Sequence, residues 1–173
     1  MKDVISDIDR WQQDGSPIAL ATVVQTWGSA PRKVGAKMAL TPDGRITGSV
    51  SGGCVEGAVF DEGTAALASG RPRLLHFGVA DETAWDMGLA CGGTIELFVE
   101  PLATAVYAFM RDLIVRDGAG TAVTVIRGPE ELLGRKLAVS RAGGKVGTLG
   151  DAALDEQATA VALSAVHSHR VQL

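Results

Sequence analysis

Residues 35–46, GAKMALTPDGRI, and residues 134–146, GRKLAVSRAGGKV, are two versions of one hairpin. In each, a glycine stands two places before a lysine that opens a short apolar run. A turn rich in Pro, Asp or Gly follows, and then a returning strand. Working outward, Thr22-Val23-Val24 matches Thr124-Val125-Ile126, Gly44-Arg45-Ile46 matches Gly144-Lys145-Val146, and Asp61-Glu62 matches Asp155-Glu156. One unit of strand, loop, hairpin and helix is therefore used twice. Gly48 to Asp61 is 13 steps and Gly147 to Asp155 is 8, so the second copy is expected to lack the piece holding Gly52, Gly53 and Cys54. The expected fold is α+β, a mixed and mainly antiparallel sheet with flanking helices, built from two related halves.

The other elements follow from periodicity and punctuation. Residues 2–14 read as an amphipathic helix with Val4, Ile8 and Trp11 on one face, ended by Gly15 and Pro17. Residues 18–24 read as a buried strand, 25–35 as a loop, and 36–40 and 45–50 as the hairpin arms. A helix is expected over 55–69 with Gly70 as its stop. Strands are expected at 73–78 and 94–100, a helical turn within 80–89, and a helix over 102–116. Residues 1–101 form the first half and 102–173 a second, degenerate half of one domain.

Composition narrows the function. With 46% apolar and 21% charged residues, the chain has the makings of a core rather than of a disordered segment. A net charge of −4 disfavours nucleic acid as a partner. No apolar run is long enough to span a bilayer, and the polar, acidic start is unlike a secretory signal, so a cytoplasmic location is expected. Two cysteines are too few for a disulfide framework and read as free thiols.

Both cysteines abut a glycine pair, in Ser51-Gly52-Gly53-Cys54 and in Cys91-Gly92-Gly93. Cys54 falls just before an expected helix, where unpaired N–H groups and the helix dipole favour anions and thiolates. The turn at Gly52 and Gly53 is expected to cradle an anionic group such as a phosphate. On local grounds each cysteine reads equally as a small buried core residue. Arg32, Lys33, Lys37 and Arg45 gather near the first loops, and Arg32 and Lys33 suit a solvated loop as well as neutralisation of an anion. Trp27 and Trp85 lie in expected loops and suit stacking on a flat ring as well as core packing. Asp81, Glu82 and Asp86 form an acidic stretch that reads as a partner surface or a helix start. His76 stands alone in a strand, and His167 and His169 share a face of a last strand. No zinc spacing, nucleophile elbow with a placed base, or GxGxxG turn is present.

Four ordered blocks carry a family resemblance: residues 19–24, ALATVV; residues 27–32, WGSAPR; residues 48–57, GSVSGGCVEG; and residues 88–97, GLACGGTIEL. Over roughly residues 18–101 the chain resembles the N-terminal domain of the XdhC/CoxI family. The resemblance implies a non-enzymatic accessory chaperone that binds the molybdenum cofactor (molybdopterin). It would assist sulfuration of the cofactor and insertion into xanthine dehydrogenase or carbon monoxide dehydrogenase type enzymes. It implies as partners a molybdenum hydroxylase client and a cysteine desulfurase. Typical members continue into a Rossmann-like domain, which is not expected here, so a separate Rossmann-domain chain or a homodimer is expected to supply that surface. Implied cofactor contacts are Cys54, Cys91, Ser51, Gly52, Gly53, Gly92, Gly93, Arg32 and Lys33. Two rivals stand beside this reading: a sulfur carrier forming a persulfide on Cys54, and a structural interaction module of a split system.

Overall fold

The computed structural model describes residues 1–78 and 92–168. Two compact units divide the chain, residues 1–102 and 103–173. The first opens with a 3-10 turn, Lys2–Val4, and helix α1, Ile5–Gln13. Strands β1 (Ala19–Trp27), β2 (Lys37–Leu40) and β3 (Ile46–Gly48) follow, then helix α2 (Glu56–Ser69). Strands β4 (Arg73–Phe77) and β5 (Thr94–Pro101) complete a sheet of order β3-β2-β1-β5-β4. The second unit holds α3 (Thr104–Val115), strands β6 (Gly120–Thr124), β7 (Lys136–Ser140) and β8 (Lys145–Thr148), and α4 (Ala152–Ser168). Its sheet has the order β6-β7-β8. Every described strand pairing is antiparallel, so the expected α+β class holds and the sheet is more uniform than expected.

Burial explains why these residues form these elements. Strand residues Ala19, Ala21 and Val23, then Ile95, Leu97 and Val99, alternate onto one face and are fully buried. Helix α2 covers that face with Val55 just before it, Val59 and Ala66, and full burial of a side chain such as Val59 contributes roughly 1.5–3 kcal/mol. Gly63 lets Leu40 approach the helix: a methyl there would meet the Leu40 Cδ2 at 2.6 Å. In the second unit Leu137, Val139, Leu149, Ala158 and Ala162 form the matching core.

The duplication is closer than the sequence alone indicates. Lys37 Nζ donates to Thr22 Oγ1 at 2.8 Å, and Lys136 Nζ donates to Thr124 Oγ1 at 2.7 Å. Met38 faces Gly48 across the hairpin as Leu137 faces Gly147. A side chain at Gly48 would meet Val4, in the turn that leads into α1, and one at Gly147 would meet Val106 of α3, so the helix before the strands belongs to the repeat too. Each copy is therefore helix, three strands, helix, and β4 and β5 are an addition to the first.

Four expectations are corrected. Leu40 pairs with Ile46 and Val139 with Lys145, so the turn match of 44–46 with 144–146 is one residue out of register. Glu56, not Asp61, is the counterpart of Asp155: each accepts hydrogen bonds from residues seven and six places earlier. Eight steps separate Gly48 from Glu56 and Gly147 from Asp155, so no piece is missing from the second copy there. The length difference lies earlier: thirteen steps join Thr22 to Gly35 and ten join Thr124 to Gly134. Lastly, His167 lies in helix α4 rather than in a strand.

Strand β1 also runs on to Trp27, beyond the expected loop start. After an irregularity at Val24, Gln25, Thr26 and Trp27 pair with Glu96, Ile95 and Thr94, which no local pattern announces.

Candidate functional site

The loop from Ser49 to Val55 joins β3 to α2. Gly52 and Gly53 have φ of 81° and 119°, which turns the chain so that its N–H groups face inward. They converge on Glu56 in the first turn of α2. One carboxylate oxygen, Oε1, accepts from Ser49 Oγ at 2.7 Å and from the amides of Val50, Ser51 and Gly52 at 3.2, 3.0 and 3.1 Å. The other, Oε2, accepts from Gly53 N at 2.8 Å and from the Ser51 hydroxyl. Ser51 Oγ in turn accepts from the amide of Val55, the residue just before the helix, at 3.0 Å.

Burial raises the carboxyl pKa of Glu56, but the hydroxyls of Ser51 and Ser49 and the amides of Ser51 and Gly53 outweigh it, and the pKa falls from 4.5 to about 2. A carboxyl depressed on folding stabilises the fold above its unfolded value of 4.5, and that stability is lost as pH falls toward about 2. Solvent contact reduces the gain to roughly 1–2 kcal/mol. Glu56→Gln is therefore expected to flatten the pH dependence of unfolding between about 4.5 and about 2. Denaturant titrations of both proteins at either end of that window check this. Equal changes in stability across it would remove Glu56 from the account.

The geometry revises the expected anion cradle. The amides of Gly52 and Gly53 already serve an ionised carboxylate inside the chain, and a phosphate in the same turn would face that charge. Cys54, by contrast, is exposed and in no disulfide, so the reading as a buried packing residue falls.

A second loop, Gly28 to Val34, lies alongside. Pro31 packs against Gly52, with 3.7 Å from its Cβ to a methyl built on the glycine. At its other end this loop meets the strand start after Cys91. A methyl on Gly93 would lie 2.1 Å from the Ser29 carbonyl oxygen, and one on Gly28 would lie 3.6 Å from Gly93 Cα. Residues 28–31 thus join the Gly52-Gly53 turn to Gly92-Gly93. Cys91, Trp85 and the acidic residues Asp81, Glu82 and Asp86 lie outside the described residues, as does His169.

Arg32 and Lys33 are exposed. Arg32 lines a cavity of about 240 Å³ together with Lys37 and Ser49, at the root of the Cys54 loop. Arg45 is not part of this cluster. It bonds Asp14, Ser16 and Asp43 and covers the Trp11 ring at 5.5 Å, tying α1 to the hairpin turn. Trp27 ends β1 with 43% of its surface exposed, its ring 5.8 Å from that of His76 and tilted to it by 53°.

Glu56, Ser49 and Ser29 are the residues that motif reading passed over. The signal for the first two was present as Ser49 and Glu56 set beside Thr148 and Asp155, once the repeat is in register. Nothing local marks Ser29.

Fold and site define a duplicated α+β protein whose first copy carries an exposed thiol on a carboxylate-locked loop. Residues 11–78 match the model of the XdhC and CoxI family. The molybdenum cofactor insertion chaperone PaoD of Escherichia coli (strain K12) is 41% identical over 92 residues, 53% of this chain and 28% of that protein. A probable xanthine dehydrogenase component of Bacillus subtilis (strain 168) is 35% identical over 124 residues, covering 69% of this chain and 38% of its own length. Escherichia coli YqeB is 33% identical over 138 residues, 80% of this chain and 24% of that protein. The chain thus spans between a quarter and two fifths of these relatives. A crystal structure of a xanthine dehydrogenase from Bacillus halodurans matches the fold with a TM-score of 0.66 at 21% identity, over 84% of this chain and 44% of that one. No described helix is long and apolar enough to cross a membrane.

Proposed function

We propose that this chain is the cargo-binding part of a maturation protein that carries the molybdenum cofactor to a molybdenum hydroxylase such as a xanthine dehydrogenase. One observation carries the reading. Where two copies of a scaffold stand in one chain, the first copy's departures from the second gather in one cluster. Cys54 replaces Ala153, Gly52-Gly53 replaces Asp151-Ala152, the 22–35 segment is three residues longer, and the β4–β5 addition brings Gly93 onto Ser29. A fold needs none of these changes twice over, and their meeting at one place supports reading it as a site.

The cluster suits the chemistry of that cargo. An exposed thiol contacts a soft metal–sulfur centre, with Cys91 as the second sulfur. Arg32 and Lys33 meet the phosphate, in place of the amides committed to Glu56. Trp27, exposed at the end of β1, suits stacking on a flat pterin. Ser51, Gly52, Gly53, Gly92 and Gly93 shape the walls. The chain performs no catalysis in this reading, and a cysteine desulfurase supplies the sulfur. A Rossmann-domain chain or a second copy completes the assembly.

Equilibrium binding of freshly released molybdenum cofactor to the purified chain, without oxygen, tests this. Wild type should bind saturably, and Cys54→Ser should weaken binding roughly tenfold, about 1.4 kcal/mol, with the fold intact. Cys91→Ser should weaken it as well. Absence of binding by folded wild type, or unchanged affinity in Cys54→Ser, would sink the proposal.

The accessible thiol also favours a second reading, a persulfide carrier. Cys54 thiolate would attack the outer sulfur of a desulfurase persulfide and release the desulfurase thiolate. Mass spectrometry after incubation with a desulfurase and cysteine would then show one added sulfur on Cys54.

A further inference from the structure

We infer that Glu56 is the positioning residue of the cargo site: its carboxylate holds the Gly52-Gly53 turn inward so that Cys54 is presented outward. This deepens the reading above and rests on it for the identity of the cargo.

The two copies separate a structural role from a positioning role. Asp155 occupies the position of Glu56, eight steps after Gly147 as Glu56 is after Gly48. It accepts from Thr148 Oγ1 at 2.6 Å and from Leu149 N at 2.7 Å. Those two bonds pin the strand exit to the helix, and the second copy folds with them. Glu56 makes the same two, from Ser49 and Val50, and four more from Ser51, Gly52 and Gly53. One extra methylene provides the reach. The added bonds all fall on the residues that lead into Cys54, and the second copy has Ala153, not a thiol, at that place. Helix capping does not explain them either. The amide of Val55, just before α2, goes to Ser51 Oγ rather than to Glu56, and at the start of α4 Asp151 Oδ1 accepts from Leu154 N at 2.9 Å.

The test uses Glu56→Asp and Glu56→Ala in the whole chain. Glu56→Asp keeps the two bonds seen in the second copy and should stay folded, with a melting temperature lowered by only a few degrees. It should nevertheless speed amide exchange at Gly52 and Gly53 roughly tenfold or more, since hydrogen bonds to a charged group are lost there. Molybdenum cofactor affinity should fall by a similar factor. Glu56→Ala leaves a nest of N–H donors with no anion. Added acetate should enter it, restore slow exchange at Gly52 and Gly53, and raise the melting temperature of this variant while leaving wild type unchanged. A role confined to stability would not concentrate the loss of protection at Gly52 and Gly53 beyond the small change in global stability. Wild-type exchange rates at Gly52 and Gly53 in Glu56→Asp, or no acetate effect in Glu56→Ala, would overturn the inference. Wild-type cofactor affinity in Glu56→Asp with fast local exchange would also overturn it. If wild type itself binds no cofactor, the cargo reading fails alone, and the exchange and acetate measurements decide the role of Glu56.

Discussion

Gly48→Ala is expected to cost about 3 kcal/mol of folding stability, roughly one for the left-handed backbone and the rest for overlap. The residue sits at φ 75°, and a methyl there would lie 2.3 Å from the Lys37 carbonyl oxygen and 2.6 Å from a Val4 methyl. The Lys37 carbonyl cannot yield easily, because it accepts the Ser49 amide at 3.0 Å and so holds the strand exit that leads to the Cys54 loop. Gly147→Ala should behave alike, with its methyl 2.2 Å from the Lys136 carbonyl oxygen. Gly44→Ala supplies the control. It has φ 95° with nothing within 4 Å, so it should cost only the backbone term, about 1 kcal/mol. Denaturant unfolding of the three variants checks this. Equal losses for Gly48→Ala and Gly44→Ala would show that the close approach to Lys37 carries no weight.

Gly93→Ala should cost about 2–3 kcal/mol through overlap alone. Its backbone is not in the left-handed region, and the obstacle is the Ser29 peptide, with the carbonyl oxygen at 2.1 Å and the carbonyl carbon at 2.7 Å. Either the protein loses that stability or residues 28–32 draw away from the β5 start. Both outcomes are readable: a lower midpoint in denaturant, or faster amide exchange confined to the 28–32 loop. On the proposed function, movement of this loop also carries Arg32 away from the Cys54 turn and weakens cofactor binding. A variant with wild-type stability and wild-type exchange would mean that the two loops are not packed as described. Gly92→Ala is the comparison: at φ 72° it should cost only the backbone term, about 1 kcal/mol, since a methyl there meets nothing within 4 Å.

The identity of the family says little about how the loop works, and the internal repeat says more. One chain contains the scaffold with and without a thiol, with a long and a short carboxylate at the same place, and with a long and a short preceding loop. These differences act as a built-in series of variants. They separate what the hairpin needs to fold from what the first copy adds around Cys54.

Several features were determined by the sequence alone. Val4, Ile8 and Trp11 recur at helical spacing and are buried on α1 and the turn before it. Gly70 stops α2 in the left-handed conformation expected of a helix end. The hairpin arms of both copies fall where the apolar runs lie, and the α+β class follows from their alternation with helices. Each of these depends on burial period or on turn chemistry, which is written within a dozen neighbouring residues. Tertiary structure alone decided the repeat register near its turn, the extension of β1 through Trp27, and the contact of Ser29 with Gly93. It also decided that the amides of Gly52 and Gly53 serve Glu56 rather than an outside anion. Partner choice for a polar group, and the approach of one backbone to another, are set only when distant strands pair. A single-residue slip, as between 44–46 and 144–146, leaves the apolar pattern readable while moving every cross-strand partner.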